Sequence, residues 1–407
     1  MNKPKIRAKG FENDWEIIDL GVIADVVNDT NSDNTISEVF TNSASLGIIS
    51  QRDYFNHDIA KQDKIHGYSV VSPNDFVYNP RVSVTAPVGP ISKNRLGRPG
   101  AMSPLYTIFR THDINDVFLE HYFKTHYWHK YMRFNGNTGA RFDRFAISLS
   151  NFFKMGVPVP HDMEQSVIAE TFELFDKEIL AAQDKIISLK SLKICHLNRL
   201  FPIGGGKTPP MRIEGFTGEW RQRKLEEFLT IREDIAGDNF TKEDVLSVSG
   251  DYGVVNQIEF QGRSFAGASI SKYRVVNRGN VVYTKSPLKA NPYGIVKTAK
   301  DIEGIVSPLY AVYDAKENCD PDFVQTYFEH KDRLNNYLRP LVNKGAKNTL
   351  LISDAGALQG DVIFPSKEEQ TAISNYFKEL DMAIRLHEEE LERLKSLKES
   401  CLQGMFV

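Results

Sequence analysis

Cysteine is scarce. The 407 residues hold three, Cys195, Cys319 and Cys401, spaced far apart. That excludes a disulfide framework and points to a reducing compartment. Long apolar runs are missing as well: no stretch reaches the roughly 18 residues needed to span a bilayer. The opening MNKPKIRAKGFENDW lacks the apolar core of a secretory signal. A cytoplasmic location is therefore expected. A strong charge of one sign is also absent. Fifty Lys and Arg against 53 Asp and Glu leave a formal −3, so net charge alone does not announce a nucleic-acid binder. With 41% hydrophobic and 25% charged residues, the composition is that of a globular protein, and the length allows two or three domains.

Catalytic signatures are lacking too. GGGKT at 204–208 has the look of a phosphate-binding loop, but Phe201 stands where that motif needs Gly. Pro209 and Pro210 follow where its helix must begin. NPYG at 291–294 lacks the second proline of the amino-methyltransferase motif and has no Gly-rich cofactor loop before it. His121, His126 and His129 sit five and eight residues apart, so they do not share one helical face. Their neighbours Tyr122, Phe123, Tyr127 and Trp128 favour packing over metal binding. Neither a nuclease carboxylate cluster nor a Ser/His/Asp pattern is evident.

What is present is a long internal repeat. LKSLK occurs at 189–193 and again at 394–398, a shift of 205 residues. The same shift lays PKIRAKGFENDW (4–15) on PPMRIEGFTGEW (209–220), so that Pro, Arg, Gly, Phe and Trp coincide. FVY (76–78) falls on VVY (281–283), FLEHYF (118–123) on FVQTYF (323–328), and Phe201 on Phe406. SPLY recurs at 103 and 307, one residue off register, as a small deletion would leave. VPVPHDMEQSVIAETFELFDKEI (157–179) falls on VIFPSKEEQTAISNYFKELDMAI (362–384). The expected division is a globular segment 1–156, a helical segment 157–202, a linker 203–215 containing GGGKT, a second globular segment 216–361 and a second helical segment 362–407.

After Pro160 and Pro365 the apolar period becomes helical. His161–Asp162 and Ser366 are cap candidates, with Glu164 or Gln165 and Glu369 about three residues on. Ile168, Phe172, Phe175, Ile179, Ala182, Ile186 and Leu189 follow at alternating spacings of three and four. Ile373, Phe377, Leu380, Ile384, His387, Leu391 and Leu394 repeat the pattern. Each helix is expected to run about 36 residues, or about 54 Å. A single apolar stripe on a helix that long must be buried. Pairing with the other copy's helix, antiparallel about an approximate two-fold axis, is one solution; packing back on its own globular segment is the alternative. Continuing the seam, the next heptad positions are Lys193 and Lys398. Either Leu192 and Leu397 take over the packing as the lysines rotate outward, or the lysines fix the register.

Residues 161–200 carry five basic and seven acidic side chains, and residues 364–407 carry six and nine, which leaves +2 on the remainder. The globular segments, read as mixed α/β (α+β), are mildly basic. Helices are expected near 116–133 and 321–337. After FVY runs a loop with Asn79, Arg81, Lys93, Arg95 and Arg98; after VVY runs one with Lys285, Lys289, Asn291 and Lys297. A second loop in each copy carries Arg133, Asn137, Arg141 and Arg144, or Lys344 and Lys347. Basic and amide side chains on Pro/Gly-punctuated loops suit phosphate and base-edge contacts, although a solvated charge is the plainer reading of any one of them. Scaffold positions match between the copies while loops diverge, as a reader of two different half-sites requires.

These features resemble the specificity subunit of type I restriction–modification enzymes. The resemblance rests on Pro160, Glu164, Gln165, Phe172 and Asp176, on Pro365, Glu369, Gln370, Phe377 and Asp381, and on YNPRVSV…GRPGAMSPLY (78–106); YTKSP departs from it in the second copy. It implies two target-recognition domains, each reading half of a split, asymmetric DNA sequence through the major groove. Their helices would pair as an antiparallel coiled coil that sets the gap between half-sites. The chain itself would be non-catalytic and bind no cofactor. Two modification subunits would dock on it and bind S-adenosylmethionine, and restriction subunits would add cleavage, with ATP and Mg in those partners. Half-sites on one DNA face lie about 34 Å apart, within reach of such a spacer. A protein–protein scaffold without a DNA role, or a stand-alone enzyme, are the rival classes.

Overall fold

The computed structural model describes residues 3–55, 62–138, 143–267, 269–287, 291–344 and 350–407. Two compact units emerge: Met1–Gln183 with Glu389–Val407, and Asp184–Glu388. Each contains one globular segment, the opening part of the long helix that follows it, and the closing part of the other long helix.

In the first unit, β-branched and aromatic runs form a four-stranded antiparallel sheet. Its order is Ala24–Val26, Thr107–Thr111, Phe76–Tyr78, Ile91–Lys93. The central strand Phe76–Tyr78 is buried throughout, which is why it reads FVY without alternation. Glu16–Asp19 pairs with Gly156–Val159 just before the long helix begins. The second unit repeats the sheet as Leu229–Ile231, Tyr310–Ala315, Val281–Thr284, Ile295–Thr298, and pairs Arg221–Lys224 with Asp361–Phe364.

The single helices expected near 116–133 and 321–337 are each two helices. Asp116–Lys124 is separated from His129–Asn135, and Pro321–Glu329 from Lys331–Leu338. In the first break the Thr125 hydroxyl bonds back to the Tyr122 carbonyl at 2.7 Å. The Trp128 indole takes the Phe123 and Thr125 carbonyls at 3.1 and 2.9 Å. In the second, the His330 imidazole caps the next helix by accepting from the Arg333 amide at 3.3 Å. Side chains thus meet the backbone groups that a continuous helix would have satisfied.

The long helices run Asp162–Arg199 and Lys367–Gly404, 38 residues each. Both packing solutions coexist. Ile168 and Phe172 enter the core of their own globular segment beside Trp15, Phe118 and Phe152, and Leu402 of the other long helix, with Met405 and Phe406 just past its end, completes that core. In the second unit Ile373 and Phe377 join Trp220 and Phe323, and Leu197, Leu200 and Phe201 complete it. Phe172 stacks on Phe406 at 5.9 Å, and Phe377 meets Phe201 at 6.4 Å. On the helices themselves Ala182 in the first unit, and Ile186, Leu380 and Ile384 in the second, are also buried. Phe175, Ile179, Leu189, Leu391 and Leu394 are half-buried. The helices pair antiparallel, opening part against closing part, within each unit.

Candidate nucleic-acid interface

The globular segments are joined to the helices by bonds that repeat at the 205-residue shift. In the first unit Arg7 grips Glu164 with two bonds, Nε to Oε1 at 2.7 Å and Nη2 to Oε2 at 2.8 Å. Hydrogen bonding to Glu164 raises the Arg7 value above the usual guanidinium range. In the second, Arg212 grips Glu369 at 2.8 and 2.7 Å. The neighbouring glutamine does the second task. Gln165 accepts the Asn115 amide at 2.8 Å and donates to the Pro160 carbonyl at 2.9 Å. Gln370 accepts the Asp320 amide at 3.0 Å and donates to Pro365 at 3.1 Å. Asn115 and Asp320 are the N-caps of Asp116–Lys124 and Pro321–Glu329. The Glu-Gln pair therefore ties helix to head rather than closing a capping box. The matched Arg of the RxxGF stretch was the available sequence signal for its partner.

The lysines at the ends of the seam stay inward, while Leu192 and Leu397 are 39% and 51% exposed. Lys398 pairs with Asp176 inside the first unit. Lys193 pairs with Asp381 at 2.7 Å and with Glu329 at 3.0 Å inside the second. Burial alone would raise Glu329, but Lys297 and Lys193 outweigh it and hold the carboxyl down at about 2. The shift of 205 converts Asp176 into Asp381 and Lys193 into Lys398, so one register lock is made twice.

The candidate contact residues divide sharply. Asn79 is buried: its Nδ2 donates to the Asn42 carbonyl at 2.8 Å and its Oδ1 accepts the Arg81 amide at 3.0 Å. Lys93 is buried against Asp116 at 2.7 Å, and Lys297 against Glu329 at 3.1 Å. Both lysines follow an inward isoleucine by two residues, Ile91 and Ile295, so strand alternation turns them into the structure. Arg95 and Arg98 are exposed but paired, to Glu120 and Glu38, each at 2.7 Å. Lys285 is half-buried and bonded to Asp354 at 2.9 Å. Asn291 is half-buried, and Arg81, Arg133, Asn137 and Arg144 are exposed. Lys344 lies on the short strand Asn343–Lys344. Arg141, Lys289 and Lys347 lie outside the described residues.

Two glycines shape the loops that follow the central strands. Gly89, at φ +85°, and Gly294, at φ +88°, sit where a Cβ would strike the carbonyls of Asn79 and Thr284. The histidines pack: His121 stacks on Phe172 at 4.5 Å, His126 on Tyr127 at 5.2 Å, and His129 meets Trp128 edge-on at 4.5 Å. Burial, reinforced by Lys124 and Lys398, pushes His121 down to about 2, so its ring is neutral. GGGKT is an irregular connector in which Gly204 and Gly205 take positive φ. No helix among the described residues is long and apolar enough to cross a membrane.

A four-stranded sheet repeated in two units, each followed by a long helix, is a fold seen before, in solved specificity subunits of type I restriction–modification systems. One solved structure with this fold is the type I restriction–modification system S subunit from M. genitalium. It is 12% identical, with 100% of this chain and 99% of that chain covered and a TM-score of 0.57. Another comes from work on complex assembly and conformational transition of the type I R-M system. It is also 12% identical, covering 96% of this chain and 97% of that one, with a TM-score of 0.51. No protein-family model and no curated protein matches the chain.

Proposed function

We propose that this chain is the DNA sequence-specificity subunit of a type I restriction–modification system. It reads a bipartite, asymmetric target, one half per globular head, and the paired long helices fix the gap between the halves. The observation that carries this reading is the combination of a duplicated scaffold with unlike loops. Sheet order, Arg-Glu grip and lysine lock repeat, while Arg81 and Arg144 of the first head have no arginine partners in the second, where Ser286 aligns with Arg81. The chain itself is non-catalytic and works in the cytoplasm. Two modification subunits holding S-adenosylmethionine dock on it, and restriction subunits supply ATP- and Mg-dependent cleavage. Contacts to DNA fall to the exposed members of the candidate set, chiefly Arg81, Arg133, Asn137 and Arg144, with Arg98 able to exchange the part-exposed carboxylate of Glu38 for a phosphate, while Arg95 stays held by the buried Glu120. Asn79, Lys93 and Lys297 support the loops from beneath.

The test is duplex binding by the chain assembled with its modification partner, across a salt series. A DNA reader loses affinity steeply as salt rises. A complex that retains no duplex at low salt is a protein scaffold, and the reading fails.

A further inference from the structure

Two arginines from distant parts of the first unit meet where the chain leaves its central strand. Arg81 and Arg144 face each other across an isolated antiparallel bridge. The bridge is closed on either side by the Val82 amide donating to the Asp143 carbonyl at 3.1 Å and the Phe145 amide donating to the Pro80 carbonyl at 2.7 Å. That pattern makes the arginines a non-hydrogen-bonded pair, whose side chains leave the same face with Cβ atoms about 4.5–5.5 Å apart. The backbone beneath is firm. Val82 and Phe145 pack against the aromatic core, and the buried Asn79 side chain fixes the Arg81 amide.

Like charges placed directly opposite across two strands repel. Four other basic residues of the same head are neutralised: Lys93 by Asp116, Arg95 by Glu120, Arg98 by Glu38 and Arg110 by Asp75. Among the described residues, Arg81 and Arg144 have no carboxylate partner, and both are exposed. Two guanidinium side chains rooted opposite each other on a fixed backbone, without a carboxylate partner, fit an anion with several acceptor oxygens, since each group offers a planar fork of donors.

We propose that Arg81 and Arg144 form a phosphate clamp, gripping a single backbone phosphate beside the half-site that the first unit reads. This rests on the reading of the chain as a DNA binder. Because a phosphate carries no sequence information directly, the clamp sets affinity and register rather than base choice.

The experiment compares wild type, Arg81→Gln, Arg144→Gln and the double variant, each assembled with the modification partner, on a random-sequence duplex over a salt series. Either single change is expected to weaken binding about tenfold and to make the slope of log affinity against log salt shallower by about one. The double variant falls little further, since both groups serve one phosphate, while the bases of the methylated motif are retained. Thermal melting of the Gln variants, at or above wild type because the repulsion is relieved, shows that they fold. Wild-type binding with unaltered slopes in the variants overturns the clamp and leaves DNA reading intact. A methylated motif altered in its bases also overturns the clamp, because the arginines then read base edges. Wild type that binds no duplex at low salt removes DNA reading and the clamp together.

Discussion

Replacing Arg7 by Gln removes one half of a grip that is almost dry. The Glu164 side chain is 2% exposed and that of Arg7 is 13% exposed. Two charge-assisted bonds are lost together, Nε to Oε1 and Nη2 to Oε2. The carboxylate left behind has no other cation at bonding distance among the described residues. Breaking a buried pair by removing one partner costs about 3–5 kcal/mol, a large share of the ~5–15 kcal/mol that holds a typical domain folded. The same loss is expected for Arg212→Gln, where Glu369 is 3% exposed, so the duplicated chain carries its own replicate. Urea unfolding of each variant gives the cost, and hydrogen exchange localises it to the start of the corresponding long helix and to the Ile6–Gly404 or Met211–Arg199 backbone bond beside it. The double variant Arg7→Gln/Glu164→Gln should recover much of the loss, because no charge is stranded. A single-variant cost under about 1 kcal/mol, as for a surface ion pair, or a double variant as costly as the two singles combined, refutes the reasoning.

Three further outcomes are expected. Lys398→Asp should loosen the first unit and Asp176→Lys should restore much of the loss when combined with it, read by thermal melting of the four proteins; a double variant no better than the worse single means the pair does not set register. On acidification, the stability contributed by Glu329 is fully present above its ordinary value of 4.5 and is lost as pH falls toward about 2. Acid titration of Glu329→Gln should therefore start from a lower stability and be flatter across that window, and an unchanged profile contradicts the assignment. Gly89→Ala and Gly294→Ala each force a positive φ on an L side chain and push a Cβ into a carbonyl. Each is expected to cost more than about 1–2 kcal/mol, the usual left-handed penalty, measured by urea unfolding, and a neutral effect at either site refutes the close approach.

Much of the fold is legible in the sequence because a duplication displays which residues must be kept. Trp15 and Trp220, Phe201 and Phe406, and the two Glu-Gln helix entries survive at one shift, and each proves to be a core or grip residue. Helix length follows from the three-four spacing and lies within a few residues of the observed 38. Less legible are features that depend on partners distant in the chain. Glu164 and Glu369 read as capping-box residues because their spacing fits, yet their partners Arg7 and Arg212 are 157 residues away. Lys93 and Lys297 read as loop cations because glycine and proline surround them. The inward turn of each was signalled only by the isoleucine two residues earlier. The closeness of Arg81 to Arg144 left no trace in spacing at all, since it is created by a bridge between two loops.

The measurement that bears most directly on the central claim is the genome-wide methylation motif in a host that carries this chain with its modification partner. On the proposed reading, two unlike heads held apart by a helical spacer predict a split, asymmetric motif with an undefined centre of constant length. Exchange of residues 1–155 for those of another such chain should change one half only. A continuous or symmetric motif, a variable gap, or methylation that persists unaltered when this chain is absent would contradict the account.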